Sequence, residues 1–177
     1  MVAISARLIY MRWQMRIKVD NREKENSHIL EYFNSIGLTM IDKTKAKDVR
    51  NLENVYIIND LCSIGDYCNL DKPNLFVERK AHWNEFAGNC GRNHARFKRE
   101  LERLDECGGR MIILIETLQP LNTWKNNRMK ITSSVMQKIM DAWKQKHNID
   151  FIQCKRDEAG AIIYQILMEG GNHSGNN

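Results

Sequence analysis

The stretch that decides the fold is Gly65-Asp66-Tyr67, followed by an apolar run and Val77-Glu78-Arg79-Lys80. Glycine, aspartate and tyrosine close a turn, and Leu75 to Glu78 reads as a strand entered through Pro73. Side chains two apart on a strand share a face, so Glu78 and Lys80 point one way and Arg79 the other. If a hairpin brings Asp66 alongside, two carboxylates and an ammonium converge. Such a group can hold a divalent cation and activate water beside it. Spacing alone leaves a second reading open, an ordinary surface ion-pair arrangement.

Working outward, strands and helices alternate. Arg16 to Asp20 alternates as a strand ending in an acid. Asn26 or Ser27 opens a helix with Ile29, Leu30, Phe33 and Ile36 on one face, and Gly37 ends it. Leu38 to Ile41 and Val55 to Ile58 read as strands. The lysine-rich Asp42 to Asn54 between them is a solvated loop or a loop that touches DNA. Ala81 to Asn89 reads as a helix, Met111 to Ile115 as a strand covered on both faces, and Leu118 to Lys130 as a loop. A helix capped by Thr132 or Ser133 buries Val135, Ile139 and Trp143. The strand Ile149 to Cys154 and a last helix, Asp157 to Met168, follow. The expected fold is α/β, a mixed central sheet flanked by helices, in one domain.

Arg92 to Cys107 is the most regular helical pattern. Phe97, Leu101 and Leu104 form its apolar stripe, and Arg92, Arg96, Arg99 and Arg103 a second one, with no acid among them. At about 100° per residue the four arginines fall within about 60° of one another. This reads either as a ridge that tracks phosphates or as a solvated face with Glu100 and Glu102 as local partners.

Bulk properties agree with a globular protein that meets a polyanion. The chain has 177 residues, 42% hydrophobic and 28% charged, with a net charge of +5. The five cysteines include no Cys-x-x-Cys pair, which points to reduced thiols and away from zinc. His82, His94 and His147 lack ligand spacing, Trp143 reads as a core residue, and Trp83 either packs under the strand beside it or stacks on a base, packing being favoured. No stretch approaches the roughly 20 apolar residues of a membrane span. Residues 1–15 read as an N-terminal extension, with Met15 an alternative start, and 171–177 as a disordered tail.

Val19-Asp20-Asn21-Arg22-Glu23, Gly65-Asp66-Tyr67 and Val77-Glu78-Arg79-Lys80 come in the order of V-D-x-R-E, G-D-Y and V-E-R-K-x-x-x-D. Together with Gly91-Arg92 and Leu114 to Glu116 they resemble the XPF (ERCC-type) family of structure-specific endonucleases, within the PD-(D/E)xK superfamily. The resemblance spans residues 16–170 and implies a restriction-endonuclease-like fold. It implies Asp66 and Glu78 as ligands of Mg²⁺ or Mn²⁺ and Lys80 as general base or water-positioning group. Arg79 would support the site or reach phosphate, and Asp20 and Glu23 would flank the metal with Arg22 nearby. Arg22, Arg92, Arg96, Arg99 and Arg103 are the DNA-binding candidates. The expected substrate is branched DNA such as flaps, forks or junctions. The chain is expected to act without helix-hairpin-helix repeats, as a homodimer or with a partner subunit. A bacterial or phage setting, in nucleoid or host cytoplasm, is expected, or the nucleus in a eukaryote.

One position departs from the pattern. Asn84 stands where the motif has its last acid, and Glu85, one residue on, is turned about 100° away on a helix. Asn84 favours a rival reading, a catalytically weak DNA-binding or scaffolding domain. A junction resolvase or restriction-type nuclease of the same superfamily is the other alternative.

Overall fold

The computed structural model describes residues 15–46, 48–126 and 131–169. Among the described residues, seven strands form one sheet. They are β1 (Arg16–Asp20), β2 (Thr39–Asp42), β3 (Val55–Asp60), β4 (Tyr67–Asn69), β5 (Lys72–Lys80), β6 (Arg110–Ile115) and β7 (Ile149–Gln153). Their order is β2-β3-β1-β4-β5-β6-β7. Strand β4 runs antiparallel to both its neighbours, β1 and β5, while the other pairs are parallel. The sheet is therefore mixed, as expected.

Helices α1 (Ser27–Ser35) and α5 (Ala159–Glu169) cover one face; α2 (Trp83–Cys90), α3 (His94–Glu106) and α4 (Ser133–Lys146) cover the other. Strand alternation divides the core between them. From β6, Met111, Ile113 and Ile115 pack with α2–α4, whereas Ile112 and Leu114 pack with α1 and α5. All five are buried, as a doubly covered strand requires.

Several boundaries differ from the sequence-based expectation. Met15, placed there in the extension, is buried and its carbonyl accepts the Val55 N–H, so the packed core begins with it. Residues 1–14, the tail 171–177 and 127–130 of the Leu118 to Lys130 loop lie outside the described residues. Strand β4 falls where the sequence shows only a turn, because three residues carry too little periodicity. Strand β5 is longer than expected and includes Pro73. The β4–β5 register shifts between Cys68 and Asn69, opposite that part of β5, so proline interrupts no regular ladder there. Helix α4 is capped by Thr132, which accepts the Val135 N–H. It buries Met136, Met140 and Trp143, leaving Val135 exposed and Ile139 half-buried. The long, flexible methionines, rather than the β-branched positions, fill the space under the sheet.

Helices α1 and α5 approach so closely that a Cβ on Gly160 would lie 2.6 Å from Tyr32 Cβ. That atom cannot swing away as a side-chain tip could. Gly160→Ala is expected to cost about 1–3 kcal/mol through overpacking. Alanine's helical preference over glycine offsets less than about 1 kcal/mol of this near a helix end. The drop, read by thermal unfolding, is about 2–4 °C per kcal/mol for a domain of this size.

Candidate active site

The alternation of β5 sets the site. Leu75 and Val77 face α1 and α5, and Arg79 continues that row; Phe76 faces α2–α4, and Glu78 and Lys80 continue that one. The β4–β5 hairpin brings Asp66 to the same end of β5. The Asp66 N–H donates to Val77 O at 2.8 Å, and its Oδ2 accepts the Arg79 N–H at 2.8 Å. Gly65 makes the turn at φ +63°, where an added Cβ would lie 2.9 Å from Val77 O. Glycine is required on both counts.

Asp66, Glu78 and Lys80 share an open cavity of about 450 Å³ with Arg22, Glu23, Arg79, Glu85, Arg96 and Glu100. Lys80 Nζ lies 2.5 Å from Glu78 Oε1 and 3.7 Å from Glu85 Oε1. Burial, reinforced by Glu78, raises the Asp66 carboxyl well above the usual carboxylate range. Burial also opposes the Lys80 ammonium, but Glu78 and Asp66 outweigh it and hold the pKa above the ordinary lysine value. A lysine kept charged in this way donates hydrogen bonds and carries positive charge more readily than it accepts a proton.

Arg79 lies on the opposite face, buried. Its Nε and Nη2 donate to the two Glu116 oxygens at 2.8 and 2.7 Å, and Nη1 to Glu23 Oε1 at 2.8 Å. His28 Nε2 and Arg156 also reach Glu116. Burial would raise the Glu116 pKa, but Arg79 and His28 bring it below the usual value. Arg79 is thus a support held by two acids, with its guanidinium committed away from a phosphate.

Asp20 is placed differently from expectation. Its carboxylate accepts both Arg22 side-chain donors and the Cys62 N–H, is itself buried, and does not line the cavity. Burial opposes its charge, but the Arg22 hydrogen bonds hold its pKa below the usual value. Glu23 does line the cavity, bonded to Arg79. Arg22 is exposed at the rim while bound to Asp20.

The arginine stripe is reduced. Gly91 breaks the helical path and α3 starts at His94, so Arg92 sits in the preceding turn, out of register. Arg96 lines the cavity, Arg99 is exposed, and Arg103 Nε donates to Ser63 O at 3.1 Å. Glu100, expected only as a local partner of the arginines, lies about 40° from Arg96 around the helix, so the face does contain an acid. Its Oε1 accepts the Gly65 N–H at 2.8 Å. Burial and then Glu78 raise its pKa. The i, i+4, i+7 spacing of Arg96, Glu100 and Arg103 carried this signal in the sequence.

The departure at Asn84 falls outside the cavity. Asn84 Oδ1 accepts Trp124 Nε1–H and Asn126 Nδ2–H, each at 2.9 Å. Glu85 instead turns toward Lys80 and also accepts the Ala81 N–H. His82 caps α2 by accepting the Glu85 N–H, His94 stacks on Trp143, and His147 bonds Asp105. Trp83 and Trp143 are buried packing residues.

The ERCC4 domain profile matches residues 19–166. The chain belongs to the ERCC4 domain family. The ERCC4 match covers every element from the end of β1 into α5. Two solved structures share the fold. XPF from Aeropyrum pernix in complex with DNA has a TM-score of 0.59 and 21% identity over 87% of this chain. XPF from Aeropyrum pernix alone has a TM-score of 0.60 and 20% identity over 92%. This chain spans 64% of each of those chains. A search of curated protein sequences finds no match. No helix among the described residues is long and apolar enough to cross a membrane.

The donor chemistry fits a hard divalent cation. No three His, Cys, Asp or Glu side chains among the described residues form a ready-made metal cage. Asp66 and Glu78, however, offer carboxylate oxygens whose mutual repulsion a cation would relieve. Mg²⁺ retains several waters and takes one or two carboxylates, which suits this pair.

The raised Asp66 pKa makes a stability prediction. The folded state binds this proton more tightly than the unfolded chain. Stability is therefore lost as pH rises from the unfolded value near ~4 through the folded one. At neutral pH in EDTA, Asp66→Asn is expected to raise the unfolding midpoint, by about 2–4 °C for each kcal/mol relieved. Its stability should fall less than wild type's between pH 4 and 8. Added Mg²⁺ should stabilise wild type and not the variant.

Proposed function

We propose that this ERCC4 domain protein is a divalent-metal-dependent DNA endonuclease that cuts branched or otherwise structured DNA. The observation that carries the reading is the convergence of Asp66, Glu78 and the charged Lys80 in one open cavity beside the arginines of α3. The solved XPF in complex with DNA supports DNA as the ligand class.

Asp66 and Glu78 would hold Mg²⁺ or Mn²⁺. When bound, the ion would neutralise charge at the scissile phosphate and lower the pKa of a water enough to make hydroxide available near neutral pH. Lys80 orients that water through its ammonium hydrogens and balances charge gathering on the phosphate. Arg79, braced by Glu23 and Glu116, keeps the end of β5 in place. Arg96 contacts the backbone at the cavity rim, with Arg99 and Arg103 extending the track along α3 and Arg92 and Arg22 at its ends. Phosphate contacts of this kind position DNA without reading sequence. Asn84 favoured a catalytically weak scaffold, but its side chain is bonded to Trp124, away from the cavity.

The test is a cleavage panel of flap, fork, four-way junction and linear duplex, with Mg²⁺, with Mn²⁺ and with EDTA. Metal-dependent cutting of one or more branched substrates over duplex is expected. Asp66→Ala and Lys80→Ala should each lower it at least ~100-fold. Equal silence of wild type and Asp66→Ala would overturn the reading. Preference for the four-way junction alone would assign a resolvase.

Arg96→Ala and Arg99→Ala should weaken DNA binding regardless of sequence. Each should lower the salt slope of log K by about 0.9 for every phosphate that the variant no longer neutralises. Unchanged affinity at low salt would remove α3 from the DNA track.

A further inference from the structure

We propose that Glu100 is a positioning residue of the active site, holding from α3 the turn that presents Asp66. The inference rests on the endonuclease reading for its catalytic consequence and on geometry alone for the hold itself.

The turn is pressed against β5 on one side, since no Cβ fits between Gly65 and Val77 O. On the other side the Gly65 N–H points to α3, where Glu100 Oε1 accepts it at 2.8 Å. One turn further along the helix, Arg103 Nε donates to Ser63 O at 3.1 Å. Between these two anchors Ile64 is buried in the cluster that contains Phe97 and Leu101 of the same helix. Asp66, the next residue, is bound toward the sheet, through Val77 O, the Asp20 N–H and the Arg79 N–H. Helix α3 therefore fixes the helix-facing side of the turn while the sheet fixes the other.

Charge attraction is not the main hold on Glu100: Lys80 and Arg103 favour its charge, but burial and Glu78 outweigh them. Glu100 faces Glu78 across the cavity and has no side-chain cation within ion-pairing distance among the bridges formed by the described residues. What it contributes is a hydrogen-bond acceptor of the right reach. Glutamine preserves that acceptor without the charge, alanine removes it, and aspartate is one methylene too short. The helix that carries the arginine track thus also sets the carboxylate that would hold the metal, and the two share one rigid element.

The test compares Glu100→Gln, Glu100→Ala and Glu100→Asp in the full chain by two readouts. The first is amide hydrogen exchange at Gly65 without metal. It is expected to be about tenfold faster in the alanine and aspartate variants and unchanged in the glutamine variant. The second is steady-state cleavage of the best branched substrate. In the alanine and aspartate variants kcat is expected to fall about 10–100-fold with KM within twofold, and glutamine is expected to restore it. Unchanged Gly65 exchange in Glu100→Ala overturns the proposal. So does a glutamine variant as impaired as alanine, which would assign the role to the charge. If wild type cuts no substrate, the endonuclease reading fails while the exchange measurement still decides the hold. Should alanine not fold, aspartate against glutamine decides in its place.

Discussion

The period of two along β5 is the constraint on which the site depends. Three charged residues in a row, Glu78, Arg79 and Lys80, end a strand whose preceding residues Leu75, Phe76 and Val77 are buried. The pleat separates them, sending Arg79 toward α1 and α5 and its two neighbours toward α3. Each face then has to satisfy what it receives. On the Arg79 side Glu23 and Glu116 give each guanidinium nitrogen a hydrogen-bond partner. Removing one partner of such a buried pair typically costs about 3–5 kcal/mol. On the other side the acids outnumber the cations closest to them, and the cavity stays open to solvent. One face is a closed ionic anchor; the other is a charged opening whose geometry the anchor maintains.

This division explains how stability and chemistry coexist. Burial opposes the charge of Asp20 and Glu116, but Arg22 at the first and Arg79 with His28 at the second outweigh it, so both have lowered pKa values and stabilise the fold when ionised; at Glu23, also bound by Arg79, burial wins and the value is raised. Asp66 and Glu100, on the open side, have raised values, and their ionisation works against the fold. The opposite shifts arise at one end of the sheet, according to whether bound cations outweigh burial.

Much of this was legible in the sequence. The turn at Gly65, the alternation of Glu78 and Lys80, the doubly apolar β6 and the order of the motifs gave the mixed sheet and the convergence of Asp66, Glu78 and Lys80, because local pattern determines each of them. What escaped depended on contacts distant in sequence. Glu100 looked like a solvent partner of the arginines because its acceptor role requires Gly65, thirty-five residues earlier. Asp20 carried a motif position, yet Arg22 and the Cys62 N–H had already taken its oxygens. Asn84 and Glu85 differ by one helical step, and only the packed position of Trp124 reveals which of them turns away from the cavity. Arg92 fell out of register because Gly91 ends one helix before the next begins, although the charge pattern runs on across the break.

The antiparallel strand β4 has a consequence for assembly of the molecule. Because it runs against β1 and β5, its first residue, Tyr67, pairs with Val19 and Val77 near their C-terminal ends, and Asp66 reaches Glu78 through a single hairpin without a crossover helix. A hairpin closes in about 1–10 μs, well ahead of parallel pairings such as β5 with β6. Joining the two acids closes a shorter stretch of chain than pairing β5 with β6 does, and costs less chain entropy.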